Sequence, residues 1–268
     1  MTQERTMVFI PMYNCAAQIS RVIGQFSDPA VQKRFAEIVV IDNRSTDDGV
    51  EAAKEALAKL EHVKTTLLRN RKNYGLGGSH KAAFDYALAG GHDYLVVLHG
   101  DDQGSIHDLV PHIDAGAHRK TECLLGARFM PGSRLEGYSL FRTFGNIVFN
   151  ALFSLGTLRV LFDLGAGLNM YARPFLERVG YLQCADDLTF NYTLLLRTVG
   201  VKGRFRFFPL CWREDDQISN VKLASQAKRT LKLLLRFVVA RKAFMAEDFA
   251  SRLEHDYTSE VLMERRPA

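Results

Sequence analysis

Short uninterrupted apolar runs alternate, through the first half of the chain, with segments whose apolar residues recur every three or four positions. The first pattern marks strands buried on both faces; the second marks amphipathic helices. Thr6–Pro11, Glu37–Asp42, Val63–Arg69, Tyr94–Leu98 and Thr121–Ala127 are predicted strands. Between them lie predicted helices ending near Phe26 ahead of Asp28-Pro29, opening at Ser45-Thr46-Asp47-Asp48 and reaching about Leu60, running from Gly78 to about Ala89, and covering Ile106–Ala117. The acids at 47 and 48 fall in a first helical turn, where the helix dipole favours them. Such βα alternation predicts a Rossmann-like, mainly parallel α/β sheet flanked by helices on both faces.

The second half is less regular. Ser139–Leu158 is apolar apart from Arg142, Asn146 and Asn150, and Asp163–Tyr171 is a short glycine-rich passage ending in a strand. Asp187–Thr198 reads as a helix, Arg204–Trp212 as a strand, and a long helix follows Ser219. The simplest partition is one α/β domain over 1–218 and an amphipathic helical appendage over 219–268. In that helix Leu223, Ala227, Leu231, Leu234 and Val238 form one apolar face, with Lys222, Arg229, Lys232 and Arg236 on the opposite side. This is the pattern of a helix lying on an anionic membrane surface. The alternative is that it and the Ser139–Leu158 segment pack on the core or on a second subunit, giving a homo-oligomer.

The most informative stretch closes the fourth strand. The run Leu95–Leu98 stops at His99-Gly100-Asp101-Asp102-Gln103. Ligands of open α/β sheets sit beyond the carboxyl ends of the strands, so metal-capable side chains there suit a divalent cation and a phosphorylated ligand. Taken alone, the same residues also fit a polar turn in which Asp101 or Asp102 caps the next helix.

Composition narrows the classes. With 268 residues, 47% hydrophobic and 24% charged, the chain can bury a large core. The net charge of +5 is concentrated late, in Lys222, Lys228, Arg229, Lys232, Arg236, Arg241 and Lys242, ahead of Glu247. Such a segment suits an anionic surface or nucleic acid, yet no recognisable nucleic-acid module accompanies it, so no nucleic-acid partner is expected. No apolar run reaches the ~18 residues of a membrane span, and the first residues carry no leader-like apolar stretch. Four scattered cysteines without a Cys-x-x-Cys predict reduced thiols, a cytoplasmic setting and no zinc site. A dinucleotide-binding reading fails: Gly75-x-Gly77-x-x-His80 lacks the third glycine and follows the third strand. His80, His92, His107, His112 and His118 are expected to face solvent or cap helices, and the phenylalanines at 141, 144, 149 and 153 to serve core or interface.

Motifs at successive strand ends carry a resemblance. Pro11-Met12-Tyr13-Asn14 resembles the Pro-x-Tyr-Asn opening of family 2 glycosyltransferases, which have the GT-A fold. Ile41-Asp42-Asn43-Arg44-Ser45-Thr46-Asp47-Asp48-Gly49 resembles their Val-Asp-Asp-x-Ser-x-Asp-Gly, and Asn73-Tyr74-Gly75-Leu76-Gly77-Gly78 their Asn-x-Gly-x-Gly. His99-Gly100-Asp101-Asp102-Gln103 stands in the place of their Asp-x-Asp, and Gly126-Ala127-Arg128 in that of Gly-Ser-Arg. One such match is weak; five in order, at matching spacing, are strong. Within the family the chain is most similar to dolichol- and polyprenyl-phosphate sugar synthases, whose Asp-x-Asp-x-Gln puts His99, Asp101 and Gln103 in register. Arg142 and Asn146 resemble residues that follow the Gly-Ser-Arg turn in that branch, Asp163–Gly167 loosely resembles its Asp-x-x-x-Gly, and Arg213, Ser219 and Lys222 its Arg-Gly-x-Ser-Lys.

The resemblance implies inverting transfer of a sugar from a nucleotide-sugar donor to a lipid-linked acceptor, polyprenyl phosphate first, on the cytoplasmic face of the membrane. The alternatives are transfer to a hydroxyl of a growing cell-surface glycan, or a non-catalytic nucleotide-sugar binder. It implies a Mn²⁺ or Mg²⁺ ion on His99, Asp101 and Gln103. It implies donor contacts at Pro11, Tyr13, Asn14, Asp42, Asn73, Gly75, Gly77, Asp101 and Arg128, with Asp42 accepting a base N–H. Glycine lets backbone N–H groups approach a phosphate or ribose closely. Arg142, Arg213 and Lys222 are candidates for acceptor or phosphate oxygens. Asp101 is the candidate catalytic carboxylate, and Asp186-Asp187 stands where many members carry the Glu-Asp whose acid is general base for a hydroxyl acceptor; helix capping accounts equally for that pair. The chain departs from the pattern at His99, Asn43, Cys15 and Asn169. A neutral imidazole at 99 favours softer cations, Mn²⁺ over Mg²⁺.

Overall fold

The computed structural model describes residues 4–214, 223–252 and 254–267. The predicted strands form as β1 (Thr6–Met12), β2 (Glu37–Asp42), β3 (Lys64–Asn70), β4 (Tyr94–Leu98) and β5 (Cys123–Ala127). They alternate with α1 (Ala16–Gly24), a short α2 (Pro29–Gln32), α3 (Gly49–Leu57), α4 (Gly75–Ala89) and α5 (Ile106–Asp114). Asp28-Pro29 both ends the approach from α1 and opens α2: Asp28 accepts the Ala30 N–H at 2.7 Å, and Pro29 sits at the first helical position. The remaining elements are β6 (Arg134–Glu136), α6 (Leu140–Thr157), β7 (Leu168–Ala172), α7 (Arg173–Val179), α8 (Phe190–Gly200), β8 (Phe205–Pro209), β9 (Cys211–Arg213), α9 (Leu223–Val239), α10 (Arg241–Ala246) and β10 (Ser259–Arg265).

The main sheet runs β10–β3–β2–β1–β4–β7–β5–β8, with β7 and β10 antiparallel to their neighbours. β1 shows why its strands are apolar throughout: Met7 and Phe9 enter one core, Val8, Ile10 and Met12 the other, and all five are buried. This is the layered arrangement that the GT-A resemblance implies, with α1, α3 and α5 over one face and α4, α7 and α8 over the other.

Three elements differ from expectation. The run Arg204–Trp212 is two strands, because Pro209 ends the β5 ladder and the chain leaves the sheet; β9 then pairs with β6 in a separate two-stranded sheet. The helical reading after 219 holds for α9 and α10, but the chain then returns to the sheet as β10, an edge strand guarded by Glu260, Glu264 and Arg265. The face of α9 is also rotated. Thr230, Leu234 and Phe237 are buried, whereas Leu231 and Val238 are exposed. Consecutive apolar residues at 233–235 and 237–239 offer two possible faces, and periodicity alone does not choose between them. Residues 215–222, with the 218/219 boundary and Lys222, lie outside the described residues, as does the Leu223 side chain. His80, His92 and His118, expected to face solvent or cap helices, are buried, with His80 and His92 against the Leu76 and Ala87 carbonyls of α4.

Glu37, at the amino end of β2, is buried and accepts hydrogen bonds from Thr66 Oγ1 at 2.7 Å and Tyr86 OH at 2.9 Å. His92 Nε2 and Lys64 Nζ lie 3.4 and 3.3 Å away. Burial alone would push this carboxyl up; His92, Thr66, Tyr86 and Lys64 outweigh it and pull it down to about 2. The folded value is below the unfolded 4.5, so the charge stabilises the fold above about pH 4.5, and that contribution is lost as pH falls toward 2. Glu37→Gln is expected to lower Tm at pH 7 by several degrees and to flatten the acid limb of a thermal-stability profile. An unchanged acid limb would refute this account.

Candidate active site

The order β2–β1–β4 brings three strand ends side by side. Each following loop turns through a left-handed non-glycine residue: Asn14 (φ 50°), Arg44 (φ 68°) and Asp102 (φ 59°). The loops are tied together. Asn14 Oδ1 accepts the Thr46 N–H at 2.8 Å, and the Asn14 N–H donates to Ser45 Oγ at 3.0 Å. Asn43 Oδ1 accepts from Asn70 Nδ2 and the Tyr74 N–H, both at 2.9 Å, while its Nδ2 donates to Asn73 Oδ1 at 2.8 Å. Asn43 thereby ties the end of β2 to β3 and to the loop that opens α4.

Above these loops lie two adjoining pockets that share Tyr13, Cys15, Leu76, His99, Asp101 and Leu188. The larger has a volume of about 760 Å³. Pro11, Asn73, Gly75 and Asp187 line one pocket; Asn14, Gln103, Arg128 and Arg142 line the other. Most of the site residues read from the sequence therefore meet in one cleft.

Within it, the Asp-Asp pair splits into two jobs. Asp102 turns away and accepts from Arg21 Nε at 2.7 Å and Arg213 Nη2 at 2.9 Å. Asp101 faces the cleft, where burial pushes its carboxyl up to about 6 and the charge of Asp102 adds to the shift. Neither caps α5; Ser105 does, accepting the His107 N–H. His99 Nδ1 lies 4.0 Å from Asp101 Oδ2. Burial, with the nearby Arg128 charge, pushes the imidazole down to about 4, so it is neutral near pH 7. His80 packs edge-on against it, 5.6 Å between ring centres. Gln103 Nε2 donates to Glu214 at 3.4 Å.

Both cleft arginines have acidic partners. Arg128 grips Asp163 through Nε and Nη2 at 2.8 and 2.9 Å and stacks over Trp212 at 5.0 Å. Burial opposes its charge, and Asp163 more than restores it. Arg142 donates to Glu214 at 2.6 Å and lies over the Tyr138 ring at 4.6 Å.

Of the other sequence-read residues, Asp42, Gly77, Asp186 and Arg213 do not line these two pockets, and Gly75 and Asp187 line one of them while bound up in packing and ion pairs. Asp42 is fully buried, with Oδ1 on the Ser45 N–H and Oδ2 on Arg69 Nε. Gly75 and Gly77 do not form an open phosphate cradle. A Cβ would lie 2.4 Å from Asp186 O at Gly75 and 2.1 Å from Ala185 O at Gly77, and the Gly77 N–H donates to Asp186 O at 2.8 Å. These glycines let the start of α4 pack on the 185–187 backbone. Arg213 lines a separate pocket with Arg21 and Asp102. Asp186 is buried and accepts from Lys81 Nζ, Tyr257 OH, Ser251 N and Oγ, and the Arg252 N–H. Burial raises its pKa, but those bonds more than offset this and hold it low. Asp187 also sits low despite its burial, bonded to Thr189 N and Oγ1 and to Arg229 Nη2 at 2.5 Å.

The sequence reading missed Glu214, Trp212, Lys81 and Tyr257 in these roles. Lys81 had a signal, since it is the only charge between Gly75 and Phe84 on α4. The others carried none. Among the described residues, no cluster of three or more His, Cys, Asp or Glu side chains is placed to hold a metal alone.

Comparison with known proteins gives the family and the fold. A polyprenol monophosphomannose synthase of Mycolicibacterium smegmatis is 28% identical over 207 residues, 75% of this chain and 74% of that protein. An undecaprenyl-phosphate 4-deoxy-4-formamido-L-arabinose transferase of Salmonella choleraesuis is 26% identical over 188 residues, 70% of this chain but only 54% of that longer protein. The fold matches glucosyl-3-phosphoglycerate synthase of Mycobacterium tuberculosis, crystallised with Mn²⁺ and UDP-glucose, at a TM-score of 0.61 and 17% identity, covering 98% of this chain and 90% of that one. The family model for glycosyl transferase family 2 matches residues 7–180, which hold β1 to β5, β7 and the cleft loops between them. On that match and this strand order, the chain belongs to glycosyl transferase family 2.

Proposed function

We propose that the protein is an inverting glycosyltransferase that moves one sugar from a nucleotide-sugar donor to polyprenyl phosphate, working peripherally on the cytoplasmic face of a membrane. The observation that carries the acceptor class is the state of the two candidate bases. Asp186 is saturated with donors, and Asp187 is held low by Thr189 and Arg229. Neither suits deprotonating a hydroxyl, whereas a phosphate acceptor arrives ionised and needs no base. The names of the two relatives support the same class.

In this reading the donor lies across the ends of β1, β2 and β4, against Pro11, Tyr13, Asn14 and Asn73. The acceptor phosphate approaches Arg128 and Arg142, with Arg142 released in part from Glu214. A phosphate oxygen attacks the anomeric carbon as the bond to the nucleoside diphosphate breaks; a single displacement inverts the configuration. His99 and Asp101 are the residues to hold a divalent cation, which supplies Lewis-acid neutralisation of the leaving diphosphate. They would hold it as a partial set, one carboxylate and one imidazole in the cleft. The imidazole favours Mn²⁺ over Mg²⁺.

The reading is tested with UDP-, GDP-, CMP- and dTDP-sugars, Mg²⁺ or Mn²⁺, and a short-chain polyprenyl phosphate in detergent. Asp187→Asn is expected to keep transfer to the phosphate within about tenfold of wild type. Because Asp187 does line the cleft, a hydroxyl acceptor is the second reading; it demands a loss of about 10²–10⁴-fold in that variant. Absence of turnover with every donor would leave a nucleotide-sugar binder.

A further inference from the structure

α6 and α9 lie side by side. A methyl group on Gly156 of α6 would sit 2.8 Å from Leu234 and 3.0 Å from Val238 of α9. Both helices leave large apolar side chains in solvent: Phe141, Phe144 and Leu155 on α6, and Leu231, Leu235 and Val238 on α9. Phe141 and Phe144 are 78% and 68% exposed, and exposed apolar patches of this kind mark interaction surfaces. The two helices contain no Asp or Glu, yet carry Arg142, Lys228, Arg229, Lys232 and Arg236. Arg142, at the start of α6, also lines the cleft.

Resting on the lipid-acceptor reading, we propose that the joint α6–α9 face is the surface on which the protein lies against an anionic phospholipid bilayer. Phe141 and Phe144 enter the headgroup–acyl boundary next to the cleft mouth. The acceptor phosphate then reaches Arg142 while its polyprenyl chain stays in the membrane. Among the described residues no helix is long and apolar enough to cross a membrane, so this contact is interfacial. Charge decides between a bilayer and a second copy. Arg142, Arg229 and Arg236 are paired with Glu214, Asp187 and Glu247, so Lys228 and Lys232 make the difference: a two-fold interface would set these lysines of one copy against those of the other, whereas an anionic bilayer complements them.

The test is co-sedimentation with phosphatidylglycerol–phosphatidylcholine vesicles containing no polyprenyl phosphate. Wild type is expected to pellet with them, less so at high salt, and to leave pure phosphatidylcholine vesicles largely unbound. F141S/F144S is expected to abolish binding, and K228E/K232E to weaken it by on the order of tenfold or more. Both are expected to keep wild-type transfer to the short-chain acceptor in detergent, since these four residues lie outside the cleft. Vesicle binding by F141S/F144S equal to wild type would overturn the proposal. So would a wild type that ignores vesicles and sediments as a dimer that F141S/F144S splits. The detergent assay separates the two ideas: vesicle binding that depends on Phe141 and Phe144 upholds the surface even where no transfer to polyprenyl phosphate is found.

Discussion

Asp101→Asn is expected to cut sugar transfer by on the order of 10²–10³-fold while leaving the fold as stable as wild type or more so. The two effects have one cause. Asp101 presents an anion in a largely desolvated cleft, where charge is costly to the free protein and effective against a cation–diphosphate pair. Removing the charge removes both. Because 37% of the side chain remains in solvent, screening holds the stability gain to about 1 kcal/mol or less. Its neighbour provides the contrast. Asp102→Asn weakens the bonds to Arg21 and Arg213, and is expected to cost about 2 kcal/mol with a smaller effect on kcat. The checks are steady-state rates at saturating donor and Mn²⁺, beside thermal melts of both variants. Asp101→Asn activity within tenfold of wild type would remove Asp101 from the reaction; a large drop in its Tm would assign it a structural role instead.

What the chain disclosed of itself follows the range of the interactions. Strands buried on both faces announce themselves locally, as at Glu37–Asp42, where every residue is buried. The strand-end motifs were legible for the same reason, since each lies in one short loop. Contacts between remote segments were not. Gly75 and Gly77 looked like a phosphate cradle because their true neighbours, Ala185 and Asp186, lie far along the chain. Asp186 looked like a base because Lys81, 105 residues earlier, and Ser251, 65 later, were invisible as partners. β10 was missed because Val261-Leu262-Met263 between glutamates is too short a run to stand out, and only the open edge of β3 makes it a strand.

The buried hub around Asp186 carries the largest stability prediction. Lys81 is fully buried, and its three ammonium protons have three acceptors: Asp186 Oδ1 and Cys184 O at 2.6 Å, and Tyr257 OH at 3.0 Å. The other Asp186 oxygen holds Ser251 N at 2.8 Å and Ser251 Oγ at 2.6 Å. Three remote segments, α4, the 184–187 turn and the stretch leading to β10, are joined by this one ion pair. Lys81→Met leaves a buried carboxylate without its cation and a buried carbonyl without its donor. The expected cost is about 3–5 kcal/mol, read by chemical denaturation. Lys81→Met/Asp186→Leu is expected to recover part of that loss, because an apolar pair needs no charge compensation, while Ser251 and Tyr257 still lose an acceptor. Amides of 254–265 are expected to exchange faster in Lys81→Met, since β10 is then held by its ladder with β3 without the Tyr257 anchor. The cleft feels the same change: the Gly77 and Gly78 N–H groups donate to Asp186 O, and Asp187 and Leu188 line the same pocket as Pro11 and Asn73, so loosening Asp186 shifts that wall and is expected to raise KM for the proposed donor. A single variant within about 1 kcal/mol of wild type, or a double variant less stable than Lys81→Met alone, would show that the pair does not hold these segments together.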